Sequence, residues 1–316
     1  MIKTFANICK MSQKNLKKYV SKELKKTYSD VTVGDGFVYA QGTFPVLLVA
    51  HLDTVHKALP NHIYFDENKD ALYSPTGIGG DDRCGVYMIF EVIKKFNCSV
   101  LFCEDEESGM IGAGKFTKTD LSKSLEFNYI IEFDRKGSND AVFYDCDNDE
   151  FEKFITKEFY KTAYGSFSDI SEVAPALGCA AVNLSCGYYN AHTLDEYVVF
   201  SEMEDSIEAA CKILERTTES DKFEYVEKES IYGLSKWVQY WKGKNCSTAY
   251  GTDGDYNSYY DADYYLIEFT NDRGIIDWFD TYAVSEDEAI GKFLIIHRDL
   301  TYNHITDVSC DAYSRY

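Results

Sequence analysis

Pro45 to Ala50 (PVLLVA) form a continuous apolar run that ends at His51. A run without polar alternation fits a central strand that is covered on both faces. Three further segments resemble strands: 98–103, 127–133 and 180–184. Three others have the residue spacing of helices: 84–95, 149–161 and 201–216. This alternation extends to about residue 218 and predicts an α/β fold, a three-layer sandwich with a mainly parallel central sheet.

Two elements precede that run. Residues 12–28 place Leu16, Val20 and Leu24 on one helical face with lysines opposite, which indicates an amphipathic surface helix. Residues 31–43 fit a short hairpin around Gly34-Asp35-Gly36.

The composition changes after residue 218. Residues 232–261 are rich in Tyr, Gly, Ser, Asn and Asp and resemble irregular or hairpin structure. Strand patterns follow at 264–269, 278–283 and 305–308, with a capping box at Ser285 that opens a helix to about His297. We therefore predict a catalytic domain at 1–218 and a small Tyr-rich α+β accessory domain at 219–316. Any oligomerisation is expected through this C-terminal part.

Acidic residues outnumber basic ones, 53 against 32, and the net charge is −21. Such a surface repels phosphate groups, so partners such as nucleic acid or an anionic membrane are disfavoured. No apolar run approaches the roughly 20 residues of a membrane span, and Met1 to Lys10 lack the apolar core of a secretory signal. The 10 Cys include no C-x-x-C pair, which favours reduced thiols. We expect a cytoplasmic protein.

Histidine and carboxylate residues stand at the ends of the predicted strands, where open α/β sheets bind ligands. They are His51, Asp53, Asp81, Glu106, Glu107, Asp134 and His192. Zn²⁺ accepts neutral imidazole and carboxylate, and one bridging carboxylate can hold two ions. Each residue alone also fits a solvated surface or a helix cap. The metal prediction therefore depends on their order and on their shared position at strand ends.

Five motifs occur in one order along the α/β part: HLDTV (51–55), GGDDRCG (79–85), EESGMIGA (106–113), EFD (132–134) and NLSCGYYNAHTLDEYV (183–198). In these motifs the chain resembles the co-catalytic zinc peptidases, a superfamily that includes peptidase T, the glutamyl and leucyl aminopeptidases and the carboxypeptidase G type. The resemblance implies two Zn²⁺ ions, with Co²⁺ or Mn²⁺ as alternatives, and a peptide or aminoacyl substrate. It does not cover the chain after residue 218.

Carried over by position, the resemblance implies five metal ligands. Asp81 would bridge both ions, and the Asp81–Asp82 peptide is expected to be cis. The other four ligands would complete the two sites in pairs: His51 with Asp134, and Glu107 with His192.

The resemblance gives two further carboxylates catalytic roles. Glu106 would be the general base that takes a proton from water and delivers it to the leaving amine. Asp53 would accept the second imidazole N–H of His51 and so orient that ring.

The spacing between motifs is shorter than in many of these relatives. Only 57 residues separate Asp134 from His192, and 27 separate Asp53 from Asp81. Relatives with an inserted lid, dimerisation or β-domain carry it in one of these intervals, and neither interval here has room for one. We therefore expect a catalytic domain without an inserted lid, closest in architecture to the single-domain leucyl aminopeptidases.

Three functions stay open at this point. A di-zinc aminopeptidase is favoured, because acidic residues outnumber basic ones near the motifs and would hold a substrate's α-ammonium. A carboxypeptidase or N-acyl amino acid deacylase would need a basic residue for the substrate carboxylate, and Arg83 and Arg135 are candidates. A non-catalytic binding protein on this fold would have lost a ligand or the base, and all these positions are present.

Overall fold

The computed structural model describes residues 2–163, 165, 167–227, 263–270, 276–283, 290, 293 and 304–311. The chain divides into two compact units, Met1–Glu229 and Ser230–Tyr316. Across the described ranges, no helix is both long enough and apolar enough to cross a membrane. The predicted irregular stretch at 232–261 and the capping box at Ser285 lie outside the described residues.

The described residues of the first unit contain twelve strands. They are β1 (Val31–Gly34), β2 (Phe37–Ala40), β3 (Phe44–His51), β4 (Tyr64–Asp66), β5 (Ala71–Tyr73), β6 (Cys98–Cys103), β7 (Tyr129–Arg135), β8 (Asp140–Val142), β9 (Lys161–Ala163), β10 (Ala181–Ser185), β11 (Tyr188–Tyr189) and β12 (Tyr197–Val199). Eight form a central sheet in the order β1-β2-β6-β3-β7-β10-β8-β9, and four form a second sheet in the order β11-β12-β5-β4. The central four strands, β6-β3-β7-β10, pair in parallel, which confirms the predicted α/β class.

Helices cover both faces of the central sheet. They are α1 (Ile2–Cys9), α2 (Gln13–Leu24), α3 (Gly80–Val92), α4 (Ile111–Thr117), α5 (Asp149–Ile155), α6 (Asp169–Leu177) and α7 (Phe200–Arg216), with a 3₁₀ turn at Ser122–Ser124. Residues of β3 alternate between two cores, because successive strand side chains point to opposite faces. Leu48 and Ala50 pack in the core that includes α1, α2, α3, α5 and α7, and Leu47 packs in the core with α4 and α6.

The helix predicted at 149–161 is wrong in its second half. Asn148 caps its start, since Asn148 Oδ1 accepts a hydrogen bond from Phe151 N at 3.0 Å. At the other end, the hydroxyl of Thr156 donates to Glu152 O at 2.8 Å, and the helix ends at Ile155. The chain then enters β9, which pairs in parallel with β8.

Residues just beyond the composition change at 218 still belong to the first unit and pack against its α/β part. Phe223 N donates to Asn128 O at 2.9 Å, and the Phe223 ring centroid lies 5.1 Å from that of Phe151. Glu227 forms a β-bridge with Cys146. The division after Glu229 therefore lies beyond the compositional boundary at residue 218.

The second unit contains a three-stranded antiparallel sheet in the order β14-β13-β15, formed by β13 (Asp263–Thr270), β14 (Ile276–Ala283) and β15 (Ile305–Asp311). Each strand lies where its pattern predicted one. A small core on this sheet comprises Ile267, Phe269, Ile290 and Phe293.

Candidate metal centre

His51, the last residue of β3, is fully buried. Its Nδ1 lies 3.2 Å from Asp53 Oδ1, and its Nε2 lies 3.1 Å from Asp81 Oδ1 and 3.5 Å from Asp134 Oδ1. Burial alone would lower the pKa of His51, but its hydrogen bonds to Asp134, Asp53 and Asp81 outweigh burial and raise that pKa well above its ordinary value. The imidazole is thus fixed on both nitrogens by carboxylates.

Asp53 connects two strand ends. Besides facing His51, its Oδ1 accepts from Glu106 N at 3.0 Å and its Oδ2 from Glu107 N at 3.1 Å. Burial would raise the pKa of Asp53, but the bonds from His51 and from the two amides hold it below its ordinary value. One carboxylate therefore sets the position of His51 and of the Glu106-Glu107 turn together.

Asp81 stands at the start of α3, in a segment that is not yet helical, and the Asp81–Asp82 peptide is cis, as the resemblance implied. Gly85, four residues after Asp81, lets α3 approach β7 closely, because a Cβ at this position would lie 1.9 Å from Phe133 O. Gly85 N in turn donates to Asp82 Oδ1 at 2.8 Å, and His51 N donates to Asp82 Oδ2 at 3.2 Å. The GGDDRCG motif thus fits its carboxylates tightly between the helix and the strand ends.

Glu196 holds the other side of this segment. It is completely buried, and its carboxylate accepts hydrogen bonds from Gly79 N at 2.8 Å and from Asp81 N at 3.0 Å. Its Oε2 also lies 2.7 Å from His56 Nε2. The sequence motif that contains His192 included Glu196, but its spacing gave no indication of this contact.

Asp134 lies near the end of β7 and is held from three directions. Ser168 Oγ donates to its Oδ2 at 2.8 Å, and Tyr188 OH donates to its carbonyl oxygen at 2.9 Å. Its own amide donates to Asn183 Oδ1 at 2.9 Å. Burial, together with the nearby charge of Asp81, raises the pKa of Asp134 to about 6.

His192 lies in the turn between β11 and β12, at a positive φ of 65° that is uncommon for a residue other than glycine. Its Nε2 lies 3.2 Å from Asp81 Oδ2 and 3.1 Å from Glu107 Oε1. These two hydrogen bonds raise the pKa of His192 to about 11. Its side chain is 54 % exposed, in contrast to that of His51.

The predicted residues thus come together, and they form three sets of donor atoms within 4.8 Å of one another. The sets are His51, Asp81 and Asp134; Asp81, Glu107 and His192; and His51, Glu106 and Glu107. The first two share Asp81, whose two oxygens face different histidines.

The two candidate arginines are engaged elsewhere. Arg83 is 1 % exposed, and its Nη1 donates to the carbonyl oxygens of Leu52 and Asp53 at 2.6 and 2.8 Å, while Nη2 donates to Met11 O at 3.3 Å. Arg135 pairs with Asp140 Oδ2 at 3.2 Å. Both guanidinium groups therefore serve contacts within the chain.

The fold is shared with solved aminopeptidase structures at low sequence identity. The aminopeptidase PepT from Bacillus cereus is 14 % identical, with a TM-score of 0.57 over 68 % of this chain and 97 % of that chain. A tripeptidase from Staphylococcus aureus is 14 % identical, with a TM-score of 0.56 over 67 % and 96 %. A TET aminopeptidase from a marine-sediment thaumarchaeon is 11 % identical, with a TM-score of 0.55 over 70 % and 98 %.

No protein-family model matches the chain, and no curated protein matches it. The structural comparisons therefore establish the fold, which is the one that the motif resemblance implied.

Proposed function

We propose that the first unit is a metal-dependent hydrolase that cleaves peptide bonds, and that it is a di-zinc aminopeptidase. The observation that carries this proposal is the position of Asp81 between two histidines. Asp81 Oδ1 lies 3.1 Å from His51 Nε2, and Asp81 Oδ2 lies 3.2 Å from His192 Nε2. Each histidine also faces a second carboxylate, Asp134 or Glu107.

The donor chemistry fits two divalent ions. Imidazole and carboxylate groups are ligands that Zn²⁺, Co²⁺ and Mn²⁺ accept. One ion would be held by His51, Asp81 and Asp134, and the other by Asp81, Glu107 and His192. Ions held in this way lower the pKa of water and polarise the scissile carbonyl.

Glu106 is the proposed general base. It is 7 % exposed, and its backbone is fixed by Asp53. Burial raises the pKa of Glu106 to about 9, with the charge of Asp134 adding to the effect, so its carboxylate takes up a proton readily. Nearby cations favour the ionised form and would lower that pKa towards the range in which a base both accepts and releases a proton.

An aminopeptidase is favoured over a carboxypeptidase or a deacylase because Arg83 and Arg135 are both occupied within the chain. Acidic residues outnumber basic ones near the motifs, which favours a substrate's α-ammonium group over a substrate carboxylate. The names of the structural neighbours, aminopeptidases and a tripeptidase, support the same choice.

A reducing compartment is also part of the proposal. Eight cysteines, all of them between Cys9 and Cys211 in the first unit, are free and buried. Free thiols in such number favour the cytoplasm over an oxidising compartment.

Metal analysis combined with a substrate screen tests the function. We expect about two Zn²⁺ per chain after add-back, a higher Tm in saturating Zn²⁺, and hydrolysis of aminoacyl substrates but not of N-acyl substrates. A folded protein that takes up no divalent metal at any ratio would refute the metal centre. Hydrolysis of N-acyl substrates alone would replace the aminopeptidase with a deacylase.

A further inference from the structure

Tyr144 lies in a tight turn, two residues after the end of β8. β8 itself lies between β10 and β9 in the central sheet. Cys146 N closes the turn by donating to Phe143 O at 3.0 Å. Tyr144 has a φ of 50°, in a region that bulky side chains rarely occupy. Such a backbone persists where the surrounding structure holds it, so contacts from neighbouring elements must keep Tyr144 in place.

The hydroxyl of Tyr144 contacts Asn183 of β10. Asn183 Nδ2 donates to Tyr144 OH at 2.9 Å, and Asn183 Oδ1 accepts from Asp134 N at 2.9 Å. An amide side chain has one accepting oxygen and one donating nitrogen. Because the oxygen already faces the Asp134 N–H, the nitrogen points the other way and meets the Tyr144 hydroxyl. Asn183 is 1 % exposed, so bulk water does not compete for that nitrogen.

The ring of Tyr144 packs on the segment that leads to Ser168. A Cβ at Gly165 would lie 3.2 Å from Tyr144 Cε1, so the ring and the Gly165 backbone are close together. Ser168 follows three residues later, and its hydroxyl donates to Asp134 Oδ2 at 2.8 Å. One tyrosine therefore contacts, at Asn183 and at Gly165, the two segments that hold Asp134.

Asp134 faces the proposed metal site with one oxygen and its support with the other. Its Oδ1 lies 3.5 Å from His51 Nε2, whereas its Oδ2 accepts the hydrogen bond from Ser168. Its backbone amide is fixed by Asn183. A shift of Asn183 would therefore be passed to Asp134 Oδ1, the atom that would reach the ion shared with His51 and Asp81.

The Tyr144 hydroxyl is a neutral acceptor. Burial raises the pKa of Tyr144 well above its ordinary value, and the charges of Glu132 and Asp134 add to this effect. The hydroxyl therefore keeps its proton. Removing it would take away a hydrogen-bond acceptor and leave the charges around Asp134 unchanged.

We propose that Tyr144 is a positioning residue for Asp134: acting through Asn183, it holds the Asp134 carboxylate where the ion shared with His51 and Asp81 would bind. This inference rests on the metal centre of the proposed function. The competing explanation is that the Tyr144 ring only packs against the core with α4 and α6. In that case, removal of the hydroxyl would change stability but not metal binding.

Tyr144→Phe removes the hydroxyl and keeps the ring. Tyr160→Phe is the matched control, because Tyr160 OH is also buried and donates to Ser206 O at 3.0 Å, in the other core. Titration of each full-length protein with Zn²⁺ against a chromophoric chelator measures the two affinities. Tyr144→Phe should lower one affinity by about 10-fold and leave the other, which would use Glu107 and His192, near the wild-type value. Tyr160→Phe should change neither, and equal affinities in Tyr144→Phe and the wild type would overturn the inference.

A double-mutant cycle tests whether Tyr144 acts through Asn183. Asn183→Ala removes the side chain that joins Tyr144 to Asp134. Tyr144→Phe should therefore cost no further Zn²⁺ affinity in the Asn183→Ala background. Two losses that simply add would show that Tyr144 acts by another route and would contradict the proposed one.

Hydrogen exchange of the Asp134 amide gives a readout that needs neither metal nor turnover. That amide donates to Asn183. In the metal-free protein it should exchange about 10-fold faster in Tyr144→Phe than in the wild type or in Tyr160→Phe, because a less firmly held Asn183 protects it less. If the wild type binds no Zn²⁺, the proposed function fails, and this exchange rate alone decides whether Tyr144 positions Asp134. An unchanged rate in Tyr144→Phe would overturn the inference.

Discussion

Glu196 holds the backbone of Asp81, since Glu196 Oε1 accepts a hydrogen bond from Asp81 N at 3.0 Å. The Glu196 side chain is fully buried, and the two residues are 115 positions apart along the chain. The same carboxylate binds Gly79 N and faces His56. Because Asp81 belongs to both proposed metal sites, the position of its backbone decides whether its two oxygens can reach two ions at once.

Glu196→Gln should therefore weaken metal binding. In the wild type, the two carboxylate oxygens of Glu196 accept hydrogen bonds from the backbone N–H groups of Gly79 and Asp81. In the variant one of these N–H groups would face the NH₂ group of Gln, which cannot accept, so the Asp81 segment would move. We expect Zn²⁺ affinity to fall by about 10-fold to 100-fold, as for other residues that orient a ligand. Competition with a chromophoric chelator measures it, and the exposed Glu150→Gln is the control. Equal affinity in both variants would contradict the positioning role.

Glu106→Gln and Glu107→Gln should give different phenotypes. Gln cannot accept a proton, so Glu106→Gln should lose about 10²-fold or more in kcat while metal content stays near that of the wild type. Glu107→Gln should lose metal instead, because Glu107 faces His192 at 3.1 Å. Metal analysis beside steady-state kinetics makes the comparison, and the reverse pattern would exchange the two assignments.

Metal binding should release protons. Hydrogen bonds to Asp81 and Glu107 raise the pKa of His192 to about 11, and hydrogen bonds to Asp134, Asp53 and Asp81 raise the pKa of His51 despite burial. These carboxylates favour the protonated form of both imidazoles, whereas a metal ligand must be neutral. The apparent Zn²⁺ affinity should rise with pH between 6 and 9, where both histidines hold protons in the metal-free state.

Calorimetry in two buffers with different ionisation enthalpies counts these protons. We expect at least two released per chain in the wild type and about one fewer in His192→Gln. The exposed His62→Gln should behave as the wild type does. No proton release in the wild type would mean that metal does not displace protons from the two histidines.

Truncation should locate the end of the catalytic part. A fragment ending at Glu229 should bind metal as the full chain does, since every proposed ligand lies before residue 193. A fragment ending at residue 220 lacks Phe223, whose ring packs against those of Phe151 and Phe154. Loss of that ring should cost about 2 kcal/mol and lower Tm by about 5 °C. Equal melting curves for the two fragments would show that residues 221–229 contribute little.

Much of the central fold was predictable because it follows from local patterns. The apolar run that ends at His51 identified β3, and the carboxylates at the ends of the neighbouring strands met where parallel strands must meet. The order of the motifs, more than any single residue, indicated the metal centre.

Other parts could not be predicted because they depend on distant contacts. The strands of the second sheet have two or three residues each, too few to show alternation. The hydrogen bond from Ser168 to Asp134 joins residues 34 positions apart, with no pattern in the intervening sequence. Helix α6 contains Pro175, which in a sequence argues against a helix interior.

Arg83 ties the beginning of the chain to the metal centre. Its guanidinium group bonds the carbonyl of Met11, between α1 and α2, and the carbonyls of Leu52 and Asp53, directly after His51. A buried cation that loses an acceptor is costly. Shortening the chain at its N-terminus past α1 would thus leave the ligands in place yet remove a support beneath them. The first two helices are part of the frame on which the proposed chemistry depends.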